Sequence, residues 1–223
     1  IENEYYSLVR PKQVPLAGET PSQALANRGV GYVELRAVDV NPYSDIGIDE
    51  DTAGFLEVLA LYCLMQDSPE LYDQELEDIE KNQAEVVNRG RAPNAVIIEH
   101  KKQVPILKWM GQHLDHMQSL ARVLNQTYAS RIYTQALETM KQRIHKVDET
   151  LSAKVIQDTL SHKGTWSFGS AMANQHAQSY EAHVLKPDTI EYFKGLAQSS
   201  LQKQQQLEQE CTQSFDEYLT AFR

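Results

Sequence analysis

Near residue 48 the hydrophobic period of this chain changes from two to about 3.6, and that change constrains the fold more than any other feature. Before it, two short segments alternate, Ile1–Arg10 and Gly31–Asn41. A period of two puts Glu2, Glu4, Tyr6, Leu8 and Arg10 on one side of the first segment. It puts Tyr32, Glu34, Arg36 and Val38 on one side of the second, with Val33, Leu35 and Ala37 opposite. Between them Ser22-Gln-Ala-Leu-Ala predicts a short helix around Pro21–Asn27, so that residues 1–12 and 30–42 pair as antiparallel strands. The expected class is α+β, with a few antiparallel strands over residues 1–48 and a mainly helical region over 49–223 packing on them.

The helical part divides at its own punctuation. Asp49-Glu-Asp-Thr-Ala is an acidic, cap-rich start, and Phe55 to Met65 is apolar nearly all round. That pattern predicts the most buried helix of the chain, lying under the sheet against Val33, Leu35 and Ala37. Ser68-Pro69-Glu70 begins the next helix and Gly90 stops it, and Arg91–Asn94 reads as a loop. Amphipathic helices follow over Gln112–Asn125 and Ser130–Val147, with a shorter one over Leu151–Leu160. Ser161–Trp166 is a turn-rich break. Gly169–His183 and a long Gln-rich helix from about Pro187 to Phe222 complete the pattern.

Composition narrows the function. A formal charge of −10 argues against nucleic-acid binding, which needs a basic surface, though not against a nucleotide bound in a local positive pocket. The longest apolar stretch is too short for a bilayer that requires about 20 residues, so the chain reads as soluble and cytoplasmic with no membrane partner. Cys63, in an apolar helical run, reads as a buried inert thiol far from Cys211. There is no phosphate-binding Gly-rich loop and no dinucleotide fingerprint.

The alternating face is the candidate site. Glu34 and Arg36, two residues apart on one strand face, suit a magnesium–phosphate centre in which the carboxylate holds the metal and the guanidinium meets phosphoryl oxygens. The same alternation is also what a half-solvated sheet shows. Its polar residues, however, are Glu, Arg, Tyr and Asn, without the Thr, Lys and Ser usual on a solvent face.

Ile-Glu-Asn-Glu-Tyr-Tyr-Ser-Leu-Val-Arg-Pro-Lys-Gln, then Gly18-Glu-Thr-Pro-Ser22, then Gly31-Tyr-Val-Glu-Leu-Arg-Ala-Val-Asp-Val-Asn-Pro-Tyr-Ser-Asp-Ile-Gly-Ile-Asp49 closely resemble the C-terminal half of glutamate–cysteine ligase of the proteobacterial type. Downstream the likeness thins to Asn82 and Gly90-Arg-Ala-Pro93. The resemblance implies a share of a glutamine-synthetase-like antiparallel sheet and ATP-dependent joining of the L-glutamate γ-carboxylate to L-cysteine through a γ-glutamyl phosphate, the first step of glutathione biosynthesis. It implies Glu34 as a magnesium ligand, Arg36 as a catalytic and ATP-phosphate contact, and Tyr6 beside the cysteine substrate. It also implies a partner, the N-terminal half of the same enzyme, which carries the other metal ligands and the glutamate site. The start at Ile1, inside a strand and without an initiator Met, reads as a fragment of that longer enzyme. Another ATP-dependent carboxylate–amine ligase and a non-catalytic helical interaction domain stand as the alternatives.

Other groups carry blander readings. Glu2, Glu4 and Arg10 share the Tyr6 face and would support the site. Asp39 falls on the opposite face and would order the Asn41-Pro42 turn. His113 and His116, flanking Asp115 on a helix, could share a metal, but solvated polar positions explain them more simply. Arg89 and Arg91 flank Gly90 at a helix end and could touch a phosphate or a carboxylate, but the negative end of the helix explains them more simply. Trp109, Trp166, Tyr192 and Phe193 read as core anchors rather than a nucleotide-stacking box.

Overall fold

The computed structural model describes residues 7–222, with the side chains of 221 and 222 left aside. Strand β1 (Val9–Lys12) pairs antiparallel with β2 (Tyr32–Leu35), in the register Val9 with Leu35, Arg10 with Glu34, Pro11 with Val33 and Lys12 with Tyr32. The Arg36 N–H donates to the Leu8 carbonyl at 2.8 Å and carries the pairing one step further. Between the strands runs α1 (Pro21–Arg28), with Thr20 as its cap, Gln23 closing a capping box and Pro21 in the first turn. The pairing and the linking helix follow the alternation in the sequence, over shorter spans than predicted. The parts of the first segment at Glu2, Glu4 and Tyr6 lie outside the described residues.

The helical part contains α2 (Glu50–Leu64), α3 (Asp73–Arg89), α4 (Ile106–Thr127), α5 (Ile132–His145), α6 (Leu151–Ser161), α7 (Thr165–Ala182), α8 (Pro187–Glu210) and α9 (Phe215–Phe222). A second antiparallel hairpin, β3 (Val96–Glu99) with β4 (Lys102–Pro105), interrupts it. Two compact units result. One comprises Ile1–Asp39 with Ala177–Arg223, and the other is Val40–His176.

The core of the second unit lies where α2, α4 and α5 meet. Val58, Leu114, Met117, Ala121, Leu124, Tyr133, Leu137 and Ile144 are buried together, flanked by Phe55, Leu59, Leu61 and Tyr62. Gly54 sets the approach of α2 to α5. A Cβ there would stand 3.3 Å from Ile132 Cγ1 and 3.4 Å from the Ala136 Cβ, so only a residue without a side chain fits comfortably. A smaller cluster of Ala95, Ile97 and Ile106 holds the hairpin to the start of α4.

Several expectations give way here. Within the second unit, helix α2 takes its cover from α4 and α5. It is not the most buried helix: Leu64 and Met65 are exposed, whereas α4 buries five residues. Cys63 is exposed too, on the outer side of α2. Helix α3 begins at Asp73, with Tyr72 rather than Ser68 before it. The last helix breaks over Cys211–Ser214. Trp166 is 87% exposed, and Tyr192 and Phe193 are also exposed, so these three anchor no core. Trp109 does pack against the hairpin cluster, its Nε1–H donating to Glu99 at 2.7 Å.

Candidate functional site

The β1–β2 register sets the site. Arg10 faces Glu34 directly across the ladder, and Lys12, Arg36 and Tyr32 share that face by the two-residue period, so the face carries a lysine that the sequence reading did not include. Within it, Arg36 Nε–H donates to Glu34 Oε1 at 3.0 Å. Lys12 Nζ stands 3.2 Å from Glu34 Oε2. Oε2 is shielded from solvent, and this ammonium contact is less well aligned than the Arg36 hydrogen bond. The Arg36 hydrogen bond, then Lys12, hold the Glu34 carboxyl below the usual carboxylate range, against a smaller opposing effect of desolvation. Three cations thus surround one carboxylate on this face, although the chain as a whole is strongly acidic.

The connection between the strands is held by a clamp that the sequence reading passed over. Arg28 donates from both terminal nitrogens to Glu19, at 2.9 and 2.6 Å, and from Nη2 to the Val14 carbonyl at 2.8 Å. Glu19 also accepts from the Leu16 N–H and from Asn27. Four donors on one carboxylate, led by Arg28, pull its pKa down to about 2. The clamp fixes both ends of α1 and so helps fix which residue of β2 meets which residue of β1. Its sequence signal was Glu19 directly ahead of the Thr20-Pro21 helix start.

In the second unit, the segment 41–49 is a folded loop. Asn41 is buried, accepts from the Tyr43 N–H and donates to Asp49 Oδ2 at 2.9 Å. Asp49 caps α2 through the Thr52 N–H at 2.7 Å. Asp49, rather than Asp39, therefore orders the turn. Gly47 takes a φ of +79°, where a side chain would be strained and would crowd Val40. Tyr43 donates to Asp158 at 2.6 Å, and burial together with that carboxylate raises its pKa to about 12. His176 bonds through Nε2 to the Pro42 carbonyl at 2.8 Å. The matched stretch from Asn41 to Asp49 is thus seated on α6 and α7.

The remaining candidates fall into ordinary roles. His113 packs against Trp109 at a tilt of 60°, with centroids 4.2 Å apart, and meets the Tyr62 hydroxyl at 3.2 Å. Burial lowers its pKa. Asp115 pairs with Lys141. Among the described residues no three His, Cys, Asp or Glu side chains gather to hold a metal. Arg89 reaches Glu85 and Asn94 at the end of α3. Asn82 carries part of the sequence likeness, and its amide grips both backbone groups of Ile98, at 2.7 and 2.6 Å. Among the described residues no helix is long and apolar enough to cross a membrane.

Comparison with known proteins agrees with the sequence likeness. Residues 1–86 match the sequence model of the glutamate–cysteine ligase family. All of the chain aligns with the glutamate–cysteine ligases of Azotobacter vinelandii, at 36% identity, and Pseudomonas fluorescens, at 34%, and it spans 42% of each. It superposes over its whole length on 44% of the Francisella tularensis glutamate–cysteine ligase crystallised with AMP, at a TM-score of 0.87 and 30% identity. A bifunctional glutathione synthetase from Pasteurella multocida shares the fold over 81% of the chain, at a TM-score of 0.56 and 22% identity. Along its full length, therefore, the chain is a relative of a C-terminal part of proteobacterial glutamate–cysteine ligase.

Proposed function

We propose that this chain supplies the phosphate-facing strand pair of a cytoplasmic glutamate–cysteine ligase, which joins the γ-carboxylate of L-glutamate to the amine of L-cysteine at the expense of ATP. The observation that carries the reading is the face on which Glu34 sits between Arg36 and Lys12. Its support is the whole-chain likeness to a glutamate–cysteine ligase crystallised with AMP.

The chemistry states what such a face must do. A carboxylate is a poor electrophile, so glutamate is activated as an acyl phosphate before the amine attacks. The protein's contribution is largely electrostatic. Glu34 fits a divalent cation: its Oε2 is shielded and already sits beside a cation in a poorly aligned contact. Magnesium at that oxygen would neutralise phosphate charge. Arg36 uses its Nε–H on Glu34 and keeps the N–H groups of its two terminal nitrogens for the transferring phosphoryl group. Glu34 in return holds the guanidinium in place. For Tyr6, which lies outside the described residues, the role beside cysteine rests on the resemblance alone. The remaining metal ligands and the glutamate site belong to the larger part of the enzyme, which this chain does not span.

Two variants of the intact ligase test the reading. Glu34→Gln should weaken magnesium-dependent turnover. Arg36→Ala should lower kcat by roughly 10²-fold or more, with a smaller change in the KM for ATP, as expected for a donor acting mainly on the transition state. Near-native turnover by Arg36→Ala would return the face to a solvated surface.

A further inference from the structure

We propose that Lys12 is a further phosphate-binding residue of this site, and that its ammonium holds on Glu34 Oε2 the position a divalent cation would take. This rests on the reading of Glu34 as a metal ligand. The two Glu34 oxygens are not equivalent. Oε1 receives a directed hydrogen bond from Arg36 at 3.0 Å, whereas Oε2 has the less well aligned contact with Lys12 at 3.2 Å. A shielded, charged oxygen whose one described contact is a poorly aligned ammonium suits exchange of one cation for another.

The pair is also weakly held. The Lys12 and Glu34 side chains retain 31% and 36% of their exposure, and an ion pair of that kind contributes little. Register places Lys12 opposite Tyr32, one step along the face from the Arg10–Glu34 pair. It therefore extends the row of cations that Arg10 and Arg36 begin. A lysine suits exchange because its ammonium is a compact charge with three rotatable donors on a flexible stem, unlike the planar fork of Arg36. With a divalent cation on Oε2, the ammonium loses its counter-charge within reach of the phosphate oxygens that such a cation accompanies. Lys12 is then both a competitor for the metal and a ligand for the nucleotide.

These two roles have opposite signs, which makes them separable. In the intact ligase without nucleotide, Lys12→Met should tighten Mn2+ binding, followed by the paramagnetic resonance of free Mn2+, by about two- to fivefold, the scale of a lost exposed ion pair. The same variant should weaken MgATP binding, measured by calorimetry, by about tenfold or more, the scale of a lost hydrogen bond to a charged group. Lys12→Arg should restore most of the MgATP affinity. In a Glu34→Gln background, Lys12→Met should no longer tighten Mn2+ binding. If Lys12→Met weakens Mn2+ and MgATP together, or changes neither, Lys12 only props the strand pair and the proposal fails. If Glu34→Gln leaves Mn2+ binding intact, the reading of Glu34 itself fails, whatever Lys12 does.

Discussion

At the scale of single residues, the site depends on carboxylates whose partners come from elsewhere in the chain. Glu19 is the clearest case, with a folded pKa of about 2 against an ordinary 4.5. A depressed carboxylate stabilises the fold above its unfolded pKa and loses that contribution as pH falls through the folded value. Resistance to denaturant should therefore fall between about pH 4.5 and pH 2 in part through Glu19. In Glu19→Gln that part should be missing, so the two proteins should differ at pH 6 and converge near pH 2 in denaturant-unfolding curves. A gap independent of pH would mean that the clamp acts through shape and not charge. Glu34 and Arg36 were legible in the sequence because alternation alone puts them on one face. Lys12 continues that face two residues beyond Arg10, but its partner lies on the other strand, so no local pattern announces the contact. Glu19 and Arg28 meet across a helix, and only the fold brings them together.

At the scale of elements, helices with clear caps or strong amphipathic patterns were legible, and the second hairpin was not. Its turn, His100-Lys101, carries neither Gly nor Asn, yet both residues take positive φ, 47° and 65°. The usual two-residue hairpin signal is therefore missing. What compensates is Asn82, whose side chain stands in for a neighbouring strand at Ile98. Replacing Asn82 by Ala should destabilise the protein by about 1–3 kcal/mol, the cost of leaving buried backbone groups unpaired. It should also speed amide exchange at Ile98 relative to Leu137 in the helical core. Equal exchange rates in variant and parent would show that the hairpin does not depend on the amide. Conversely, Lys101→Gly relieves a left-handed backbone and should raise the thermal midpoint, a gain of about 0.5–1 kcal/mol. The burial of α2 was legible for a different reason. An all-round apolar sequence indicates burial without saying against what. Here α4 and α5 supply the cover while the C-terminal end of α2 remains exposed at Leu64 and Met65.

At the scale of the whole molecule, a site for ATP, two amino acids and more than one magnesium needs several carboxylates converging from different elements. On this chain the strand face offers Glu34, and the described residues hold no second cluster of metal-binding side chains. The curated relatives it matches are more than twice its length, since it spans 42% of each. What the chain does present is a strand pair with a cationic face around Glu34, which by our proposal binds phosphate only as part of the longer ligase. Purified residues 1–223 should therefore release negligible phosphate from ATP in the presence of glutamate and cysteine. Addition of the remaining part of the ligase should restore turnover. Nucleotide binding should follow catalysis: magnesium-dependent ATP binding by the longer ligase, lost in the isolated chain, agrees with this division of labour. Robust γ-glutamylcysteine synthesis by residues 1–223 would overturn it. It would require a second set of ligands on the helices, beginning with Asp115, His113 and His116, where Asp115 would first have to leave Lys141.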